Sequence, residues 1–170
     1  RARLAQTLTM PTLTPLDIEL MVRILMAFVL GGLLGIEREQ IGRPAGLRTH
    51  MLVCAGSTCF TLASAYGFDG QGTIRDPTRI AAQIVTGIGF LGAGTIFRTQ
   101  STVRGLTTAA NIWLVAAIGL LLGAGMYWIA IFTTLLAYVT LRLFSLIGLL
   151  STRRRGKGEP SIAGSDDVAD

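Results

Sequence analysis

The stretch Arg79–Arg98, RIAAQIVTGIGFLGAGTIFR, limits most strongly what this chain can become. Its eighteen inner residues, Ile80–Phe97, carry no charge. As a helix they would rise about 27 Å, close to the roughly 30 Å of a bilayer's hydrocarbon core. Gly87, Gly89, Gly92 and Gly94 lie inside it. So many glycines weaken a helix in water, but in lipid small residues let neighbouring helices approach and gain dispersion contacts. The stretch is read as a membrane-spanning helix with neighbours close to its backbone. The spacing of Gly87, Gly89 and Gly92 also matches a dinucleotide fingerprint. That chemistry needs a preceding strand within a soluble βαβ unit, and the surrounding pattern supplies neither.

Composition agrees with a bilayer as solvent. Of 170 residues, 51% are hydrophobic and 15% charged, and mean hydropathy is +0.57, whereas soluble domains carry about 25% charged residues. In a soluble domain the net charge of +5 would suggest nucleic acid, but here the arginines stand at the ends of apolar runs and report topology. Cys54 and Cys59 fall on different faces of one expected helix, so they are read as buried small hydrophobes and not as a disulfide or metal pair. No cleavable signal is evident. The chain begins at Arg1, with Met10 available as a start; residues 1–14 are expected to be a leader, non-native or flexible, and residues 1–9 upstream sequence.

The expected fold is an all-α membrane protein of about five transmembrane helices with glycine-rich packing. Residues 15–150 form one domain, with spans at about 16–36, 47–66, 79–97, 106–122 and 126–150. Thr14, Pro15 and Asp17 form a capping box at the first helix start. Glu19 and Arg23, four apart, share a face, and Arg23 is read as snorkelling beside that carboxylate in preference to lining a polar pathway. The second span is rich in small and hydroxyl residues, with Cys54, Thr58 and Thr61 on one stripe and Ser57, Thr61 and Ser64 on another, as suits a helix packed among helices. Thr99–Val103 is a short loop, after which Arg104, Thr107, Thr108 and Asn111 make one polar stripe. Gly123-Ala124-Gly125 is a tight turn into a span opening with Tyr127 and Trp128 at headgroup level. Residues 151–170 are too polar to build a core and are expected to be flexible.

Five spans put the termini on opposite sides. Arg38, Arg43, Arg48, Arg98, Arg104, Arg153, Arg154, Arg155 and Lys157 share one side, against Arg75 and Arg79 on the other, with Arg1 and Arg3 added if the leader is native. The positive-inside bias then sets the N-terminus outside and the C-terminus in the cytoplasm. Gly35 to Gly46 and Gly94 to Gly105 are both eleven apart, and similar runs follow Gly46 and Gly105. Spans 1–2 and 3–4 are therefore candidates for parallel repeats, with chance coincidence of glycine-rich helices the alternative.

Little in the chain supports hydrolysis. His50 and Ser57 are seven apart on one face with no third orienting group, and His50 is placed at the membrane boundary. Glu37 and Glu39, two apart on a helix, point in nearly opposite directions, so one copy supplies no acidic cage for magnesium. Gln83, Thr86 and Asn111 supply the mid-membrane polarity. The charges at the helix ends either anchor and orient the protein or form an ion-paired cluster suited to a partner or an anionic headgroup.

Five blocks in order resemble the MgtC/SapB family: Gly35-Ile36-Glu37-Arg38-Glu39, Arg43-Pro44-Ala45-Gly46-Leu47-Arg48-Thr49-His50, Asp76-Pro77-Thr78-Arg79-Ile80-Ala81-Ala82-Gln83, Gly87-Ile88-Gly89-Phe90-Leu91-Gly92-Ala93-Gly94 and Val103-Arg104-Gly105-Leu106-Thr107-Thr108-Ala109-Ala110. The resemblance implies a bacterial inner-membrane protein of about five spans, linked to growth under magnesium limitation and, in pathogens, to survival inside macrophages. The family carries the label of magnesium transporter; its best-known member implies action through membrane partners, the F-type ATP synthase among them. That member has a soluble cytoplasmic domain after its last span, where about twenty residues follow here.

The expectation is a non-enzymatic regulator of magnesium or ion homeostasis acting by intramembrane contacts. Glu37, Arg38, Arg48, Arg79, Gln83, Arg104 and Asn111 form its functional set, and Gly31, Gly35, Gly87, Gly89, Gly92 and Gly94 its packing residues. No cofactor is expected beyond magnesium itself. The partners expected are membrane lipids, a second copy as a dimer, and another inner-membrane protein such as the F-type ATP synthase, with no nucleic acid. The alternative is a transporter or channel for magnesium or another ion along Gln83, Thr86 and Asn111. A third reading, an intramembrane enzyme, rests on Ser57.

Overall fold

A computed structural model describes residues 12–67, 76 and 78–143, and residues 144–155 as helix backbone. The expectations for a leader before residue 12 and for the tail beyond residue 155 lie outside the described residues. Five helices follow one another: α1 (Pro15–Gln40), α2 (Leu47–Tyr66), α3 (Thr78–Ala93), α4 (Leu106–Gly123) and α5 (Tyr127–Arg155). Between α3 and α4 a two-stranded antiparallel hairpin pairs β1 (Phe97–Arg98) with β2 (Val103–Arg104). The expected capping box is present: Asp17 N donates to Thr14 Oγ1 at 3.2 Å, and Thr14 N donates to Asp17 Oδ2 at 2.8 Å.

The centre of the packing is α2, not the glycine-rich α3 on which the sequence reading turned. Its small side chains let two backbones come very near. A Cβ added to Gly31 of α1 would lie 2.7 Å from the His50 carbonyl oxygen, and one on Gly35 would lie 2.7 Å from Leu47 Cα. From the other flank, a Cβ on Gly119 of α4 would fall 2.2 Å from the Cys54 carbonyl oxygen, and one on Gly123 would fall 2.5 Å from Thr61 Cβ. These approaches run antiparallel along α1 and α2 and parallel along α2 and α4. Thr58 donates its hydroxyl to Gly119 O at 2.8 Å across the second interface. Ala27, Leu34, Cys54, Val115, Ile118 and Leu122 fill the core that results.

By contrast α3 packs chiefly on α4 and touches α2 less. Ile84 and Ile88 pack with Ile112 and Ala116 of α4, and Gly92 faces Ala109. A Cβ at Gly56, Gly87 or Gly89 would meet nothing within 4 Å. The α3 helix is also shorter than the span expected over 79–97. It stops at Ala93, where Thr95 donates its backbone amide and its hydroxyl to Gly92 O at 3.0 and 2.8 Å. Gly105, at φ 92°, brings its backbone so near Thr95 O that an added Cβ would sit 1.8 Å from it, which closes the neck of the hairpin. Phe97 and Val103, both of high β propensity, then lie in paired two-residue strands, where a span ending at 97 and a loop over Thr99–Val103 were expected. Arg104 accordingly belongs to β2, and the polar stripe on α4 begins at Thr107.

Gly46 and Gly105, noted for their matching spacing, are the N-caps of α2 and α4. The two hairpins differ in their connections, residues 41–46 in one and 94–105 in the other. Gly125, at φ 79°, ends α4 in the expected tight turn, with Gly125 N donating to Leu122 O and Met126 N to Leu121 O. Cys54 is buried, but Cys59 is exposed, contrary to the expectation for it. α1 and α4 are long and apolar enough to cross a membrane. Leu25, Val29, Phe60, Phe90, Trp128 and Phe132 present large apolar side chains on the outside of the bundle, a surface that soluble monomers do not carry.

Because overpacking a close backbone contact costs about 1–3 kcal/mol, Gly119→Ala should lower unfolding stability in detergent by that amount. Gly87→Ala, with open space around it, should leave stability within about 0.5 kcal/mol of the parent or raise it slightly. Thermal unfolding of both variants checks the contrast.

Candidate functional site

The last turn of α1 carries Glu37 and Arg38 into the bundle, 2% and 3% exposed, beside His50 of α2 at 0%. Arg38 Nε donates to Glu37 Oε2 at 2.5 Å. Glu37 Oε1 is buried with no hydrogen-bond partner among the described residues, which costs about 1–3 kcal/mol and more where the group is charged. The two nitrogens of His50 are both engaged: Nδ1 lies 2.8 Å from Gly46 O, and Nε2 lies 2.8 Å from Asn111 Nδ2 on α4. A carbonyl can only accept, so Nδ1 carries the proton, and Nε2 accepts from the Asn111 amide. With Nδ1 committed to the N-terminal turn of α2 and Nε2 to α4, the imidazole leaves no base for Ser57, whose Cβ packs on Gly119. Glu39 turns away from Glu37 as expected, and its Oε2 accepts from Leu47 N at 2.8 Å, supplying the N-terminus of α2 with a carboxylate cap. At the edge of the cluster, Arg142 of α5 reaches Gln40 Oε1 at 3.4 Å.

A second polar knot closes the opposite end of the bundle. Arg23 is buried, not snorkelling. Its Nη2 pairs with Glu19 Oε1 at 2.5 Å, Nη1 donates to Gly123 O at 2.7 Å, and Nε donates to Tyr127 OH at 2.9 Å. Its guanidinium also lies over the rings of Tyr66 and Tyr127 at 6.0 and 5.6 Å. One side chain thus satisfies an orphan carbonyl at the C-terminus of α4 with a positive charge and ties α1 to the ends of α2, α4 and α5. Glu19 and Arg23 were legible as an i, i+4 pair, whereas Tyr127 and Gly123, about a hundred positions away, left no local signal.

The residues singled out in the sequence do not form one site. Glu37, Arg38 and Asn111 join the buried cluster with His50, which was not among them. Arg48 is exposed on the first turn of α2, and Arg104 is exposed on β2 at the same end of the bundle. Arg79 is exposed at the far end, next to Asp76, whose carboxyl is held below its ordinary pKa by the Thr78 hydroxyl and then by the Thr78 amide. Gln83 opens onto a groove of about 480 Å³ between α2 and α3, lined also by Leu52, Ser57, Phe60, Ile80 and Leu91. Gly56 and Gly87, two of the glycines without neighbours, form its floor. Gly31 and Gly35 lie in tight helix contacts, Gly92 in an ordinary one, and Gly94 only within its own turn. No group of three or more His, Cys, Asp or Glu side chains with metal-binding geometry occurs among the described residues.

A helical bundle with small-residue contacts, a lipid-suited exterior and buried ionic knots at both ends defines a polytopic membrane protein. Residues 24–149 match the model of the MgtC family, and the chain belongs to that family. It is 45% identical over 132 residues to "Putative magnesium transporter YhiD" of Escherichia coli K12, covering 74% of this chain and 60% of that protein. It is 46% identical over 140 residues to Protein MgtC of Brucella abortus strain 2308, covering 81% of this chain and 57% of the relative. With Protein MgtC of Salmonella typhimurium 14028s it shares 48% identity over 115 residues, 68% and 48% of the two chains. The chain thus spans roughly half to three fifths of the length of these relatives. No solved structure matches it.

Removing one member of a buried ion pair costs about 3–5 kcal/mol, because the other charge is left uncompensated. Arg38→Met should therefore destabilise the bundle by that amount, and Glu37→Gln added to it should recover more than half. A double-mutant cycle in detergent checks this; a neutral Arg38→Met would contradict the pairing.

Proposed function

We propose that this protein serves magnesium homeostasis in the bacterial inner membrane by binding other membrane helices, with five spans, the N-terminus outside and the C-terminus in the cytoplasm. The observation that carries the reading is the groove between α2 and α3. Its walls are apolar and its floor is glycine, the surface to which a foreign helix can approach closely enough to gain packing energy in lipid. Gly31, Gly35, Gly119 and Gly123 are covered by the chain's own helices; Gly56 and Gly87 are not. The arginines at the ends joined by residues 41–46 and 94–105 support the orientation through the positive-inside bias.

A transport path along Gln83, Thr86 and Asn111 draws support from the name of the Escherichia coli relative. It requires those groups to line one wet route. Gln83 faces the groove, Thr86 donates its hydroxyl to Ala82 O at 3.1 Å, and Asn111 is engaged with His50 on the α2–α4 side. This dispersal favours the contact reading.

Gly87→Leu fills the groove without touching the core, so it should abolish rescue of growth at low magnesium while membrane abundance and thermal stability stay near the parent's. Magnesium flux into proteoliposomes that is lost in Asn111→Ala would overturn the contact reading in favour of transport.

A further inference from the structure

The hairpin between α3 and α4 contains the two β-strands found among the described residues, and its side chains change along its length. At its neck, Ile96, Phe97 and Leu106 are exposed apolar groups, Phe97 and Leu106 at 59%. Arg104 stands opposite Phe97 on the first rung, Arg98 and Val103 form the next rung out, all three exposed, and the end is Thr99-Gln100-Ser101-Thr102. The backbone there is fastened by Thr99 N donating to Thr102 O at 2.9 Å, with the two threonine hydroxyls 2.8 Å apart. Phe97 faces Arg104 across the ladder, and Arg98 faces Val103, so each face of the hairpin offers one apolar group and one guanidinium. No carboxylate occurs between Ala93 and Leu106, and neither guanidinium has an ionic partner among the described residues, whose ion pairs are Arg23–Glu19 and Arg38–Glu37.

The depth of the hairpin follows from the length of α3. Sixteen residues rise about 24 Å, some 6 Å less than the roughly 30 Å hydrocarbon core. With Arg79 at the far headgroup level, the helix ends about 6 Å inside the opposite edge of the hydrocarbon, a distance that residues 94–96 can cover, so the neck side chains lie at the acyl boundary. The two guanidiniums then stand at the level of the phosphates, and the polar end reaches water. The order apolar, cationic, polar is the order of a leaflet's own layers.

We propose that this hairpin is a binding site for anionic phospholipid headgroups, in which Arg104 beside Phe97 on one face and Arg98 beside Val103 on the other each hold a headgroup phosphate while the apolar neighbour packs against the lipid. A basic residue near such a surface is worth about fivefold in association. The occupant is a lipid of the surrounding leaflet and not a soluble anion, because apolar neck and cationic middle are met together only there.

Chymotrypsin cleavage after Phe97 in the purified full chain tests this. In phosphatidylglycerol nanodiscs cleavage should be about fivefold or more slower than in phosphatidylcholine nanodiscs, and added sodium chloride should shrink the difference. The R98Q/R104Q variant should be cut at nearly the same rate in both discs. A second variant, Val103→Asp, which keeps both arginines and the cleavage site, should also lose the protection. Equal cleavage of the parent in the two discs, full protection of R98Q/R104Q, or protection in phosphatidylcholine discs by inorganic phosphate would each overturn the proposal.

Discussion

The structure depends on how closely α1 and α4 approach the backbone of α2. In lipid there is no hydrophobic drive between helices, so association must come from dispersion contacts and hydrogen bonds made at short range. Gly31 and Gly35 on one flank and Gly119 and Gly123 on the other let carbonyls of α2 come within a distance that any Cβ would forbid. Thr58 then adds a hydroxyl bond to Gly119 O. Helices held this close have their polar side chains set by the frame, which is why Glu37, Arg38, His50 and Asn111 can be buried together at one end, and Arg23 at the other.

That frame divides the molecule in two. One part, α1, α2 and α4 with the near end of α5, is packed through its small residues and locked by ionic and hydrogen-bonded knots. The other, the α2–α3 face, keeps the same kind of surface but leaves it open, with Gly56 and Gly87 uncovered. Of the groups that would suit transport, Asn111 is used to hold α4 to α2 and Thr86 is bonded within its own helix, whereas the open surface suits helix contact. Glu37 Oε1 is buried without a hydrogen-bond partner among the described residues, while Oε2 of the same carboxylate is held by Arg38.

Local patterns disclosed much of this fold. The capping box at Thr14, the tight turn at Gly125, the helix starts after Gly46 and Gly105 and the crowded character of α2 all follow from residues near in sequence. The glycines misled where they were most numerous. Four in α3 suggested the hub of the bundle, but whether a glycine is covered depends on what arrives from elsewhere in the chain, and α1 and α4 arrive at α2. The end of α3 coincides with a local hairpin, the pairing of Phe97 with Arg104 and the approach of Gly105 to Thr95, which the helical periodicity of the apolar run does not register. The partners of Arg23 and of His50 lie about a hundred and sixty-one positions away respectively, so their burial could not be read from helical periodicity. Glu37 and Arg38 were singled out by charge at a helix end, which says nothing of which way they turn.

The most direct measurement is photo-crosslinking in living cells with a benzophenone amino acid placed at Leu91, which lines the α2–α3 groove, and, for comparison, at Leu25 on the outer face of α1. The account predicts a discrete protein adduct from position 91 under magnesium limitation and none from position 25. Lipid adducts alone from both positions would contradict it.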